Sequence, residues 1–355
     1  MVSGIAKYAF INTKLRARIS KILPDEVFDR LVKAPSLEAA LDGLRDTSFA
    51  ELQEIYSSTG DLKKGELELL KKEIHLYLNI KQSVHSETIE FINALLYQFE
   101  IDNLKNAIRI YFDRKIRNIS ADPNIHYILY DPIIHKIPID IIINAESFVE
   151  IAEACSETPY GEIIQEYSGT VESQGSLFRL EIALDHFYYN NLTAVAKKMD
   201  SEDRDIIHRL TGVEIDLQNI NWLIRLKNFY DQPLDAVLSM LVPGGYNLNR
   251  AMINELYSAQ NITGVLHDFI SGKYPGLLAL LSVQSAESYP RLLLIHRLLE
   301  EIMKQEVRRM LAGYPFTIGI ILAYLILKRN ELKKIRTILN AKKYNLEQQR
   351  IEDML

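Results

Sequence analysis

The chain has 355 residues, of which 48% are hydrophobic and 25% charged, a composition that is typical of globular proteins and excludes low-complexity structure. Its net charge of −6 argues against a general nucleic-acid binder, and its single cysteine excludes an internal disulfide. Only 15 glycines and 11 prolines interrupt the chain, which favours long helices over many short strands.

Apolar residues at helical spacing predict helices along most of the chain. The clearest examples are Leu67–Gln82, Glu87–Phe99, Leu177–Lys198 and Leu292–Met310. Serine followed three residues later by glutamate is a capping-box pattern and predicts helix starts near Ser48 and Ser147. The proline-interrupted stretch Ile119–Asn144 is expected to be an irregular connection with a short extended piece.

One segment has to be tested as a membrane span. Met310–Leu327 carries no charge over 18 residues, the lower limit for a transmembrane helix. Gly313 and Pro315 interrupt it, and Pro315 suits the first position of a helix. Basic residues flank both sides, so no inside–outside bias exists. The segment is therefore expected to form a buried helix that starts near Pro315.

A first motif occurs three times. Each copy begins with a residue that can cap a helix, continues with apolar positions spaced for a short helix, and places an aromatic residue two positions after threonine or glycine. The copies are Ser36, Leu37, Leu41, Leu44, Thr47, Phe49 and Leu52; Ser147, Phe148, Ala152, Cys155, Thr158, Tyr160 and Ile163; and Asn261, Ile262, Leu266, Phe269, Gly272, Tyr274 and Leu277.

A second motif follows each copy of the first. It consists of an acid, a polar residue three positions later, and further apolar steps. Its copies are Glu100, Asn103, Leu104, Ala107, Ile108 and Arg109; Asp216, Asn219, Ile220, Leu223, Ile224 and Arg225; and Glu331, Lys334, Ile335, Ile338, Leu339 and Asn340. The period of roughly 115 residues is too long for a solenoid unit. It predicts one small helical domain present three times, over residues 1–120, 121–232 and 233–355.

No catalytic pattern stands out. The chain has no phosphate-binding loop, no glycine fingerprint for a dinucleotide, and no histidine pair at helical spacing for zinc. Cys155 occupies an apolar slot of the repeat, which indicates a core residue. The acidic run Asp200–Asp205 could bind a cation, but acids also suit the start of a helix, and that interpretation is favoured.

The polar repeat residues have two interpretations. Asn103 and Asn219 could contact a partner at equivalent places, but a structural hydrogen bond between paired helices is favoured. Arg16 and Arg18 could belong to a docking helix, whereas a solvated face is the simpler explanation. Lys334 departs from the asparagine of the other copies, so the third copy is expected to be specialised for partner binding.

The sequence resembles the C subunits of the archaeal and bacterial V/A-type rotary ATPases, which are related to the d subunits of the eukaryotic vacuolar ATPases. The resemblance covers nearly the whole chain. It rests on the opening Tyr8–Arg18, on the Thr-x-aromatic pieces at Thr47 and Thr158, on Asn103–Arg109, on Pro243-Gly244-Gly245 and on Pro315 leading to Tyr324–Lys328.

This resemblance implies an all-α, funnel-shaped protein of three similar domains around a pseudo-three-fold axis. It implies a non-catalytic rotor subunit: a socket that takes the central shaft and sits on the membrane rotor ring, on the cytoplasmic side, as a peripheral membrane protein. Neither a cofactor, a metal, nucleic acid nor a small-molecule substrate is expected. The expected partner contacts are Arg16, Arg18, Lys333, Lys334 and Arg336, and the expected structural anchors are Asn103, Arg109, Asn219 and Arg225.

Two alternatives remain open at this point. An unrelated helical scaffold or adaptor would keep the helices but has no reason to repeat both motifs three times. A helical metal-dependent enzyme acting on diphosphates would need paired acidic motifs, and Asp200–Asp205 is the one dense acidic cluster.

Overall fold

The structure is a computed structural model that describes residues 4–119, 128–230, 233–246, 248–258, 267, 271, 274–277 and 288–355. These residues form helices and connections without a strand, so the predicted all-α class is confirmed. The α-helices are α1 (Gly4–Ile19), α2 (Asp25–Lys33), α3 (Leu37–Asp42), α4 (Glu51–Thr59), α5 (Leu62–Lys81), α6 (Ser86–Lys115), α7 (Ile139–Asn144), α8 (Phe148–Ala154), α9 (Gly161–Gln174), α10 (Phe178–Ala196), α11 (Ser201–Tyr230), α12 (Leu234–Met240), α13 (Arg250–Ser258), α14 (Ser288–Ala312), α15 (Gly319–Lys343) and α16 (Gln348–Met354).

The chain divides into two compact units, one comprising Met1–Glu181 with Ile320–Leu355 and the other Ile182–Gly319. In the first unit, α15 and α16 pack with α2 to α5 around one apolar core. Its buried members include Phe28, Leu31, Leu41, Leu44, Phe49, Leu52, Ile335, Ile338, Leu339 and Ile351. The two ends of the chain therefore share a core, and the boundaries predicted after residues 120 and 232 stay a prediction.

The second unit is organised around α11, which contacts α13 and α14. Buried residues of α11 lie on several sides of the helix, including Val213, Ile215, Leu217 and Ile220. A helix that is apolar on several sides belongs in a core. On α14, Leu298, Ile302 and Val307 are buried, as their predicted stripe requires.

The turn before α4 corrects one prediction. Ser48 does not cap this helix: α4 begins at Glu51, and Ala50 at its start makes no side-chain cap. Instead, the Thr47 hydroxyl oxygen accepts the backbone N–H of Phe49 at 3.1 Å, because threonine two residues before an amide can close a local turn. At the second copy Ser147 does cap α8, with its hydroxyl oxygen 3.2 Å from the Glu150 nitrogen.

The connection expected to be irregular over Ile119–Asn144 contains α7 at its end. Proline is compatible with the position just before a helix, and Pro138 occupies it. Ile139 and Ile142 of α7 are buried, so burial outweighs the low helix propensity of isoleucine. Residues 120–127 lie outside the described part of the chain.

The uncharged stretch near residue 320 forms the buried first half of α15. The helix begins at Gly319, not at Pro315 as predicted, because Thr317 and Asp203 accept the backbone N–H groups of Gly319 and Ile318 at 3.2 and 2.8 Å. Within the described part of the chain, no helix is long and apolar enough to span a bilayer.

Candidate functional site

The Asn103 side chain of α6 clamps the backbone that leads from the first repeat to the second. Its amide nitrogen donates to the Leu129 carbonyl oxygen at 2.8 Å, and its amide oxygen accepts the Leu129 N–H at 2.8 Å. One side chain thus satisfies both backbone groups of a buried residue, as a neighbouring strand would. The hydrogen bond expected between paired helices is instead a bond from a helix to an extended segment.

Glu100, three residues before Asn103, holds the next part of the same segment. Its carboxylate is 1% exposed and accepts the backbone N–H groups of Ile134 at 2.9 Å and His135 at 2.7 Å. It also accepts the Tyr160 hydroxyl at 2.7 Å and contacts the His135 ring nitrogen at 2.7 Å. Burial, and then the Glu100 charge, raise the pKa of Tyr160, so this hydroxyl stays a proton donor.

The second repeat builds an equivalent clamp on α11. The Asn219 amide donates to the Val242 carbonyl oxygen at 2.8 Å and accepts the Val242 N–H at 2.9 Å. The buried Asp216 carboxylate accepts the Tyr246 N–H at 3.0 Å. The same acid-and-amide pair therefore acts on backbone in both repeats.

The glycines next to this clamp are required by its geometry. Gly244 has a φ of +95°, a conformation that side chains disfavour. A Cβ atom on Gly245 would overlap the Asp216 carboxylate. Pro243-Gly244-Gly245 thus allows the backbone to pass directly against the acid of the second motif.

The third copy uses the acid but replaces the amide. The buried Glu331 of α15 accepts the backbone N–H of Leu23 at 2.7 Å and contacts the Lys328 ammonium. Lys334 lies where Asn103 and Asn219 lie in the other copies; its ammonium is 3.1 Å from the Asp25 carboxylate and 4.8 Å from the centre of the Phe28 ring. An ion pair with the start of α2 therefore takes the place of the amide clamp.

On α6 and on α15, a basic residue farther along the helix bonds the end of another helix. The Arg114 guanidinium of α6 donates to the carbonyl oxygens of Ile143 and Ala145, at the end of α7, at 3.0 and 2.7 Å. The Lys342 ammonium of α15 donates to those of Val32 and Ala34, at the end of α2, both at 2.6 Å. Cations suit the unpaired carbonyls of a helix C-terminus. Burial lowers the pKa of Lys342.

The two arginine anchors differ in what the structure shows. The Arg109 guanidinium joins α6 to α10 through the Glu181 carboxylate at 2.7 Å, and it also donates to the Asn106 amide oxygen at 3.1 Å. Arg225 lies on α11, and its side chain is outside the described part of the structure.

The residues predicted to contact partners lie on α1 and α15. Arg16 is exposed and donates to the Asn12 amide oxygen at 3.1 Å. Arg18 hydrogen-bonds Tyr324; burial raises the pKa of this tyrosine, and the Arg18 charge opposes the rise. Lys333 and Arg336 are half-buried on α15. Arg18 and Lys334 thus also bond within the chain, and all five residues stay predicted partner contacts, since Arg16 is exposed and the other four are half-buried.

Sequence reasoning missed the role of the acids and one further cluster. Glu100, Asp216 and Glu331 were visible as the first position of the second motif, but nothing indicated that they accept backbone N–H groups. In the second unit, the 1% exposed Glu306 carboxylate contacts Arg209 at 2.6 Å and Arg309 at 2.9 Å. No repeat signal pointed to it.

The first two copies of the first motif are equivalent in their local bonds. Ser36 and Ser147 each accept the backbone N–H of the residue three positions later at 3.2 Å. Thr47 and Thr158 each donate to the carbonyl oxygen three residues earlier, at 2.6 and 2.7 Å. In the third copy, Tyr274 is described, and its hydroxyl donates to Glu306 at 3.2 Å. The third-copy positions Asn261, Ile262, Leu266, Phe269 and Gly272 lie outside the described residues.

The groups considered for chemistry serve the structure instead. Burial raises the pKa of the Cys155 thiol to about 12, so it remains a protonated core residue at neutral pH. Asp203, a member of the acidic run, is 3% exposed and accepts the Ile318 N–H. Among the described residues, histidine, cysteine and acids form no group that could hold a metal ion.

Comparison with known proteins gives a consistent result over almost the entire length. Residues 11–354 match the family described as "ATP synthase (C/AC39) subunit". The C subunit of the A-type ATP synthase from Methanocaldococcus jannaschii is 25% identical, covering 100% of this chain and 88% of the relative. Those of Methanosarcina acetivorans and Pyrococcus horikoshii are 26% and 21% identical, covering 99% and 93% of this chain and 93% and 85% of the relatives.

Proposed function

The chain belongs to the ATP synthase (C/AC39) subunit family, and from this premise we propose that it is the rotor socket that couples the central shaft to the membrane rotor ring. In this role it links ATP hydrolysis or synthesis on one side to proton or sodium transport on the other. Membership confirms the prediction of a V/A-type ATPase subunit that is not itself catalytic. Family membership contradicts both alternatives, the unrelated scaffold and the diphosphate enzyme.

The observation that carries the proposal is the match across residues 11–354, and the repeated clamps fit the mechanical task. A coupler must transmit torque without bending. Close-packed helical cores are stiff, so the connections between repeats are the weak points. Glu100 and Asn103 fix one connection to a 30-residue helix, and Asp216 and Asn219 fix the other in the same way.

We also propose three domains, over residues 1–120, 121–232 and 233–355, around a pseudo-three-fold axis in a funnel-shaped molecule. The contacts of Glu331 support this arrangement. Glu100 and Asp216 hold backbone that leads to the next repeat, whereas Glu331, in the last repeat, holds Leu23, which leads into the first. This is the pattern that a cyclic order of three repeats requires.

The proposed partners are the shaft subunits and the rotor ring, with the protein bound peripherally on the cytoplasmic side of the membrane. Mixed charges at a docking surface provide orientation and fast association more than raw affinity. The proposed contacts are Arg16, Arg18, Lys333, Lys334 and Arg336, because each is at least partly accessible.

Purification from native membranes tests this assignment. A tagged chain should co-purify the shaft, ring and catalytic subunits of one ATPase, identified by mass spectrometry in fixed proportions. The matched control is the same chain with Gly245→Ala, which places a Cβ atom against Asp216. This variant tests whether co-purification of the ATPase subunits depends on the fold. Recovery of the wild-type chain without any ATPase subunit would contradict the proposal.

A further inference from the structure

Two connections of the chain are clamped by neutral side chains. Asn103 bonds both backbone groups of Leu129, each at 2.8 Å, and Asn219 bonds both backbone groups of Val242, at 2.8 and 2.9 Å. Leu129 and Val242 are buried. Because these bonds join uncharged groups away from water, dissolved salt screens them little.

The connection between α1 and α2 is held by charge instead. Among the described residues, the Lys334 ammonium pairs with the Asp25 carboxylate at 3.1 Å, and these side chains are 31% and 88% exposed. An ion pair that faces water stabilises a protein only weakly. Salt also screens such a pair, so the hold on this connection depends on the ionic strength.

The backbone of the same connection is bonded at Leu23. Its N–H donates to the buried Glu331 carboxylate at 2.7 Å, whereas Glu100 accepts two backbone N–H groups of its connection. Leu23 is half-buried, and Asp25 stands two residues farther along the chain. The Leu23 amide therefore reports directly on whether the exposed pair keeps the connection in place.

We propose that the connection between α1 and α2 is a salt-sensitive latch, which the pair of Lys334 and Asp25 holds closed and which opens before the two connections clamped by asparagine. High salt weakens the pair and gives water access to the Leu23 N–H. The opening is local, because Leu15 of α1 and Phe28 of α2 stay buried on either side. The latch concerns the chain by itself and goes beyond the rotor-coupling role.

Hydrogen exchange of backbone amides in the full chain tests the latch. It is measured at about 0.05 and 1 M sodium chloride, between which the Debye length falls from more than 10 Å to about 3 Å. At low salt, and relative to its intrinsic rate, Leu23 should exchange about 5- to 30-fold faster than Leu129 and Val242, because an exposed ion pair replaces the amide clamp. At high salt the Leu23 rate should rise by a further factor of about two to five, the size expected of an exposed ion pair. The rates of Leu129 and Val242 should stay constant.

Two pairs of variants assign the salt response. Lys334→Gln should raise Leu23 exchange to the high-salt level and make it independent of salt. Lys343→Gln removes the same charge from the same helix at an exposed position and should keep the salt response. Asp25→Asn should act like Lys334→Gln. Glu26→Gln should not, although both acids lie in the first turn of α2 and lose the same favourable interaction with the helix dipole.

Four results would overturn the latch. They are a Leu23 amide as protected as Leu129 at low salt, the same salt response at all three amides, a salt response that Lys334→Gln retains, or equal effects of Asp25→Asn and Glu26→Gln. Thermal unfolding of each variant checks that it is folded. If Lys334→Gln does not fold, the two variants of α2 decide the question.

Discussion

Replacing Asn103 with leucine, a side chain of similar size, removes the clamp on Leu129 without creating a cavity. The substitution leaves the Leu129 N–H and carbonyl groups, each bonded at 2.8 Å in the wild type, without their partner. Leaving a buried polar group unpaired costs about 1–3 kcal/mol. We therefore expect Asn103→Leu to lower the free energy of local opening at this segment by about 2–3 kcal/mol.

Asn93 on the same helix provides a matched control. Its amide oxygen is buried and has no hydrogen-bond partner among the described residues. Because leucine removes a polar group that is already unpaired, Asn93→Leu should change the stability little or raise it. The two variants thus make the same chemical change on α6 with opposite expected results.

Hydrogen exchange at the Leu129 amide is the direct assay, since it reports opening of the clamped segment even if the chain unfolds in more than one step. A loss of about 2–3 kcal/mol corresponds to exchange that is roughly 30- to 150-fold faster at this amide. Asn93→Leu should leave the exchange rate unchanged. Equal effects of the two variants, or unchanged exchange in Asn103→Leu, would refute the clamp.

Three further outcomes are expected. Gly245→Ala should lower the melting temperature because its Cβ atom overlaps the Asp216 carboxylate. Gly169→Ala, whose Cβ atom has nothing within 4 Å, should raise helix stability by about 1 kcal/mol. The reverse order in thermal unfolding would contradict the close approach of the Gly245 backbone to Asp216. The Cys155 thiol has a pKa of about 12 in the folded chain, against 9.0 for the free group. The protonated thiol therefore stabilises the fold, and this contribution to the free energy of unfolding is complete below pH 9 and lost as the pH rises toward 12. Denaturation of both proteins across this range should show the wild type losing more stability than Cys155→Ala. Parallel stability curves would contradict the raised pKa. Shaft binding should weaken several-fold between about 0.05 and 0.5 M salt, and Lys333→Glu should disturb it more than the control Lys64→Glu on α5; salt-independent affinity in a binding titration would indicate an apolar socket.

The class of the fold and the positions of the anchors follow from the sequence because both depend on local periodicity. Apolar stripes predict α10 and α14, and the spacing of Asn103 and Asn219 from their acids identifies equivalent positions. The hydrogen-bond partners of these two asparagines could not be predicted. Leu129 lies 26 residues from Asn103, and no local pattern encodes a bond between a helix and a distant extended backbone.

The third copy illustrates a different difficulty. Lys334 was visible as a departure from asparagine, and this predicted specialisation for a partner. The structure adds contacts within the chain, because the ammonium pairs with Asp25 and lies over the Phe28 ring, and partner binding by Lys334 stays a prediction. A charged residue on a predicted helix does not reveal whether its partner lies within the chain or outside it. Lys328 is less conspicuous in the sequence, yet its ammonium pairs with the buried Glu331 carboxylate and lies 5.2 Å from the centre of the Phe49 ring.

Simultaneous binding of the shaft and the ring tests the central claim most directly. The chain is immobilised on a biosensor surface and exposed first to the purified shaft subunits of its own ATPase and then to the detergent-solubilised rotor ring. A coupler that joins the two should bind the ring to the same extent with and without the shaft already in place. Binding of neither partner, or exclusion of the ring by the bound shaft, would contradict the coupling role.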